Sequence, residues 1–260
     1  MGRFTLSTLA ATDELYQHVP RAYALCLQGR IARLTICSGR HPFYYFVPRH
    51  LVRERECKDN FGKEHDQNFA AQHSPATATA NVYPPYRQAF ALPSAPPFAY
   101  MFNKRNSEWN GPPVNTWRAQ DVRLAYERLA SAAGGRGNAL AAASEAASAA
   151  CYPHMVYHRS RNMVSMGTGS QQWGDDDVAA ARAAGGLVLG DWLGAAAARL
   201  DREEAGDRWR ASRRLALGNM AQLVLLANAR LVVGVQGGMA VLAGIVGARR
   251  VLLLCKRGIE

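Results

Sequence analysis

Residues 215–260 constrain the chain most: LALGNMAQLVLLANARLVVGVQGGMAVLAGIVGARRVLLLCKRGIE. Residues 215–229 set Leu215, Met220, Leu223, Leu226 and Ala227 at helical spacing, with Asn219 and Gln222 among them. The short apolar run LVVGV (231–235) lies between Arg230 and Gln236-Gly237-Gly238, as a buried parallel strand does when it ends in a tight turn. Residues 239–246 then read as a helix, Gly247 as its stop and 251–254 as the next buried strand.

Strand, glycine turn, helix and strand make a βαβ unit, and its geometry bears on its chemistry. Gly237 and Gly238 allow unusual backbone angles and close approach of a ligand. A helix beginning there points unpaired N–H groups at the turn and favours an anion such as phosphate. The spacing is neither GxGxxG nor a Walker A loop, so neither nucleotide fingerprint applies. The plain alternative is a glycine turn needed only for packing.

Two segments together resemble a known group. FNKRNSEWNGPPVN at 102–115 and VQGGMAVLAGIVG at 235–247 are similar to the NK…EW…P.N and QGG…LA…G segments of surface-polysaccharide glycosyltransferases. The order of strand, glycine turn, small-residue helix and strand resembles the donor half of GT-B glycosyltransferases, including heptosyltransferase-like enzymes. The resemblance spans about two-thirds of the chain. It implies a Rossmann-like parallel sheet flanked by helices, of GT-B type, with a reduced N-terminal lobe. It implies a glycosyltransferase that moves a sugar from a nucleotide-activated donor to a glycan or other hydroxyl acceptor. Gln236, Gly237 and Gly238 would then lie beside the donor diphosphate, with Asn219 and Gln222 on the preceding helix. The expected division is a small acceptor-side lobe with a proline-rich connector, 1–97, and a donor domain, 98–260.

Composition bounds the alternatives. A chain of 260 residues, 48% hydrophobic, is long enough for a sizeable core. No stretch approaches the roughly 18–20 unbroken apolar residues of a membrane span. The N-terminus lacks the apolar region of a signal peptide and misses the myristoylation pattern, with Leu6 at the sixth position. A soluble, cytoplasmic protein is the expectation. The net charge of +11 comes from 27 Arg and only 4 Lys, spread along the chain without a block or a recognised binding motif. That is the balance of a GC-rich coding sequence, and no dedicated nucleic-acid partner is expected. A diffuse positive field would still attract a nucleoside diphosphate or an acidic glycan. Cys26, Cys37, Cys57, Cys151 and Cys255 lie far apart without CxxC, so neither a zinc site nor a disulfide framework is implied. Cys37 and Cys255 read as small buried hydrophobes in a reducing compartment.

In chain order, 13–29 is a plausible helix despite Pro20, 31–37 a strand with Ser38-Gly39 as its turn, and FYYFV (43–47) a further strand between Pro42 and Pro48. From Arg53 to Ala80 the chain turns polar without a sustained period, and His65, Asp66 and His73 there match no common metal spacing. Residues 83–97 hold five prolines and read as an extended connector.

Residues 98–102 (FAYMF) form a buried strand that delivers Asn103 and Lys104 at its C-terminal end, where open α/β sheets bind ligands. Lys104 could pair with a phosphate, Trp109 could stack on a sugar or base, and Glu108 could act as general base, with Asn103 and Asn115 beside them. The alternative is an Asn-Lys turn with a buried tryptophan and a solvated glutamate. Residues 118–133 make an amphipathic helix. The Ala- and Ser-rich stretch 139–150 carries no evident chemistry. HMVYH (154–158) reads as a strand delivering His158, Arg159 and Arg161, and such arginines could clamp a diphosphate.

Asp175-Asp176-Asp177 contains the DxD of metal-dependent GT-A transferases. It precedes a helical run, so an N-cap and a first-turn complement to the helix dipole is the preferred reading. No cofactor and no divalent metal are expected. GLVLG (186–190) reads as one more strand and 195–214 as helix. The rival classes are a catalytically silent nucleotide- or glycan-binding module and a GT-A transferase using Asp175–Asp177. GT-B chains often return a last helix to the first lobe, so on this resemblance the end at Glu260 reads either as a truncated gene model or as a minimal version.

Overall fold

The structure, a computed structural model, describes residues 4–7, 18–55, 82–104, 117–132, 154–160, 176–203, 207–235 and 238–253. The chain forms two compact α/β units. The first comprises Met1–Ala89 with Ala196–Leu223, and the second Phe90–Ala195 with Val224–Glu260. The first switch between them falls inside the proline-rich connector. Residues 196–223, later in sequence than most of the second unit, belong to the first.

The first unit holds a parallel three-stranded sheet, β1 (Phe4–Ser7), β2 (Ile31–Cys37) and β3 (Val52–Arg55), in that spatial order. β2 buries Ile31, Leu34 and Ile36. The helix Val19–Leu27 leads into it with Pro20 in its first turn, where a missing N–H costs nothing. Two sequence expectations change here. FYYFV is not a strand: His41–Tyr44 is a 3-10 helix, closed by Phe43 N–H to Arg40 O and Val47 N–H to Tyr44 O. Pro42 lacks the N–H that a ladder needs and fits the start of a helical turn, which buries Phe43 and Tyr44. The opposite change occurs at Val52–Arg55, a charged edge strand in a stretch read as polar and irregular. Charges suit an edge, where they discourage further pairing. Cys37 is disulfide-bonded and Cys26 is a free thiol, so the expectation of no disulfide is also corrected.

The second unit is built on a parallel five-stranded sheet flanked by helices. Its strands are β4 (Phe98–Lys104), β5 (His154–Ser160), β6 (Leu187–Val188), β7 (Leu231–Gly234) and β8 (Val251–Leu253), ordered β6-β5-β4-β7-β8. Every residue from Phe98 to Asn103 is buried, as a central strand covered on both faces requires. Phe102 and Gly234 are register partners across β4 and β7. The helices Ala119–Ala132, Asp176–Ala183 and Gly238–Val246 follow β4, β5 and β7. GLVLG contributes only Leu187–Val188 to the sheet, because the helix Leu189–Glu203 begins at once. Asp191 in its first turn complements the dipole and pairs with Arg182, Nε to Oδ2 at 2.9 Å and Nη2 to Oδ1 at 2.6 Å. No described helix is long and apolar enough to cross a membrane.

Candidate functional site

The strand order of the second unit reverses beside β4. Counted within the unit it is 3-2-1-4-5, so successive strands build outward from β4 to β6 on one side, then from β7 to β8 on the other. Such a reversal leaves a crevice outside the carboxyl ends of the two central strands, where doubly wound sheets bind ligands. At this position β4 ends in Asn103 and Lys104, and β7 ends in Gly234. Three residues after the buried Val235 the helix Gly238–Val246 begins, with Leu242, Ala243 and Val246 in the core. Its unpaired N–H groups offer partial positive charge.

Asn103 does not face this crevice as a free amide. Its Oδ1 accepts the Trp117 N–H at 2.9 Å, and its Nδ2 donates to Trp117 O at 3.0 Å, to the Tyr157 hydroxyl at 3.1 Å and to Asp177 Oδ2 at 2.9 Å. Tyr157 donates its hydroxyl to the same carboxylate oxygen. The Arg159 guanidinium lies against both Asp177 oxygens, with Nε to Oδ2 at 3.0 Å, and the two side chains are 8% and 5% exposed. Burial pushes the Tyr157 hydroxyl far above its ordinary value, outweighing Asn103 and Arg159, so it stays a proton donor.

Asp177 stands in the first turn of its helix, as the sequence led us to expect of 175–177. Its burial was not expected. Its carboxylate is engaged by Asn103, Tyr157 and Arg159, and Asp175 lies outside the described residues. Among the described residues no three His, Cys, Asp or Glu side chains converge on a metal position.

His158 faces away from a solvent role. It is 6% exposed, its ring stacks on Tyr100 with planes 22° apart, and its Nδ1 pairs with the Tyr100 hydroxyl at 2.6 Å. Burial lowers the imidazole to about 4, so the ring is neutral at physiological pH. Lys104 ends β4; Glu108, Trp109, Asn115, Arg161, Gln236 and Gly237 lie outside the described residues.

Asn219 and Gln222 lie on the helix Asp207–Asn228, both buried, in the stretch that belongs to the first unit. Asn219 donates from Nδ2 to Gly39 O at 2.8 Å, anchoring the turn after β2. That turn carries a polar cluster which sequence reasoning missed. Glu54 accepts from the Gly39 N–H at 2.9 Å, Arg49 Nη2 at 2.9 Å and Ser212 Oγ at 3.2 Å, and pairs with His41 Nδ1 at 3.1 Å. Burial works to raise the Glu54 carboxyl, but Gly39, His41, Arg49 and Ser212 outweigh it and hold it below its ordinary value. Nothing in VRER marks this glutamate out, because its partners come from as far away as Ser212.

The site is therefore a switch point between β4 and β7, with a buried network at the ends of β4 and β5. Comparison with family models, with curated proteins and with solved structures found no match to this chain.

Proposed function

We propose that this chain is a GT-B-type glycosyltransferase, transferring a sugar from a nucleotide-activated donor to a hydroxyl acceptor. The observation that carries the reading is the reversal of strand order between β4 and β7, next to the glycine-bearing residues 236–238. The N-terminus of the helix Gly238–Val246 supplies N–H groups suited to a diphosphate. Lys104 and Arg161, at or just beyond the ends of β4 and β5, are the basic groups this reading assigns to the donor phosphates. Glu108 is its general base and Trp109 its stacking surface for the sugar or base. The acceptor oxygen bonds to the anomeric carbon as the bond from that carbon to the diphosphate oxygen breaks. The acceptor proton passes to the Glu108 carboxylate, and the nucleoside diphosphate leaves with the electron pair. Helix N–H groups and basic side chains meet the charge on the leaving group, so this mechanism uses no metal step.

Thermal unfolding with UDP, GDP, ADP and CMP and their sugars, with and without Mg²⁺ or Mn²⁺, tests the reading. At a hundred times Kd a ligand adds about 2.7 kcal/mol to stability, enough to move Tm by several degrees. One nucleotide is expected to shift Tm without metal, and Gly238→Asp, which sets a negative charge at the helix N-terminus, is expected to abolish the shift. No shift with any nucleotide overturns the reading. Binding without sugar transfer reduces the protein to a nucleotide-binding module, and a shift seen only with metal replaces the GT-B reading by a metal-dependent one.

A further inference from the structure

The buried network at the ends of β4 and β5 joins four elements of the second unit. Asn103, one residue from the end of β4, clasps both backbone groups of Trp117, which leads into the helix Ala119–Ala132. Arg159, one residue from the end of β5, is held by Asp177 at the start of the helix Asp176–Ala183. The two clasps are one network, because Asn103 Nδ2 and the Tyr157 hydroxyl both donate to Asp177 Oδ2. Asn103 and Arg159 are also register partners across the two strands. A single carboxylate thus fixes two strand ends and two helix starts beside the switch point.

We infer that Asp177 and Arg159 are positioning residues for the donor site: Arg159 acts through Asp177 and Asn103, not on the ligand phosphates. The inference rests on the glycosyltransferase reading for the identity of the ligand. An arginine at a strand end beside a phosphate site would ordinarily be assigned to the phosphate. Here the guanidinium is buried and turned onto a carboxylate that also holds Asn103, the neighbour of Lys104. Removing either member of the pair lets the end of β4 relax, and Lys104 with it.

The test is a double-mutant cycle on nucleotide affinity. Calorimetry would measure Kd for whichever of UDP, GDP, ADP and CMP shifts the wild-type Tm. The proteins are wild type, Asp177→Asn, Arg159→Gln and the double variant, each at low and moderate salt. Each single variant is expected to weaken binding about tenfold and the double variant no more than either, because coupled residues are not additive. The salt dependence should stay that of wild type, since no charge contacting the ligand is lost. Additive losses near a hundredfold, or a flatter salt dependence in Arg159→Gln, place Arg159 on the phosphate and overturn the inference. So does unchanged affinity in both single variants, which leaves the pair merely structural. Wild type that binds no nucleotide brings down the functional reading itself, and this inference with it. Should Asp177→Asn not fold, Arg159→Lys decides, because it keeps the charge but loses the planar fork. Positioning predicts a loss like that of Arg159→Gln; direct charge contact predicts near wild-type affinity.

Discussion

Phe102 and Gly234 illustrate how one small residue sets the centre of the second sheet. A Cβ on Gly234 would meet the Phe102 ring at 2.2–2.4 Å, and Phe102 is only 1% exposed, so the ring has no room to withdraw. Gly234→Ala should cost about 1–3 kcal/mol through overpacking, read as a lower urea midpoint at unchanged m-value. His158 makes a second residue-scale prediction, with a definite sign. Its folded pKa of about 4 lies below the ordinary 6.5, so below pH 6.5 the unfolded chain binds the proton first. Stability should therefore fall as pH drops from about 6.5 to about 4, by about 3 kcal/mol, and the term should level off below. His158→Gln removes the titration, and urea unfolding at pH 7.5 and pH 5 would show a smaller difference than in wild type. Equal pH dependence in the two proteins would contradict a buried neutral imidazole.

At the scale of elements, Glu54 ties β3 to the turn after β2 and to Ser212 on the helix Asp207–Asn228. Its lowered carboxyl contributes stability that is present above the ordinary carboxylate pKa and lost as pH falls through the folded value. Glu54→Gln weakens charge-assisted bonds to Arg49 and His41, and should cost about 1–3 kcal/mol at neutral pH. The difference from wild type should shrink in acid below about pH 4, outside the His158 window, when the two are compared by urea unfolding. Gly39 explains part of the precision of this turn. At φ 80° it is the residue type suited to a left-handed turn, and an added Cβ would stand 2.8 Å from both Leu215 Cβ and Ser212 O. The elements read most easily from the chain were those whose environment is uniform along their length. β4 is apolar from Phe98 to Phe102 because both faces are covered, and the helix Ala119–Ala132 keeps Val122, Ala125, Tyr126 and Leu129 on one buried stripe. β3 escaped notice because an edge strand can be all charge, and 41–47 because aromatic residues suit a strand and a buried 3-10 turn equally well. Asp177 looked like a dipole complement because local spacing cannot show that Arg159, Tyr157 and Asn103 converge on it from two strands.

At the scale of the molecule, the discontinuity of the first unit matters more than any single contact. Sequence order assigns residues 196–223 to the second domain, yet they complete the first. No local pattern encodes this, because Leu223, Ala216 and Asn219 read as one amphipathic face whichever unit buries it. Within the first unit that face is specific: Asn219 holds Gly39 O, Ser212 reaches Glu54, and Leu215 packs over Gly39 where a side chain would clash. A cut at the apparent boundary, giving residues 98–260 alone, therefore strips the helical stretch of its partners and exposes its apolar face to water. That fragment should retain helical far-UV circular dichroism but bind a hydrophobic dye and unfold without a single sharp transition. Adding separately expressed residues 1–97 should restore cooperative unfolding and suppress the dye signal, since the missing half of the first unit is returned. Native-like cooperativity in the 98–260 fragment alone would mean that 196–223 folds independently of the N-terminal sheet. The two units would then be separable at the connector. The stretch 196–223 lies between β6 and β7 in sequence while belonging to the first unit, so a cut at residue 97 separates it from the rest of that unit.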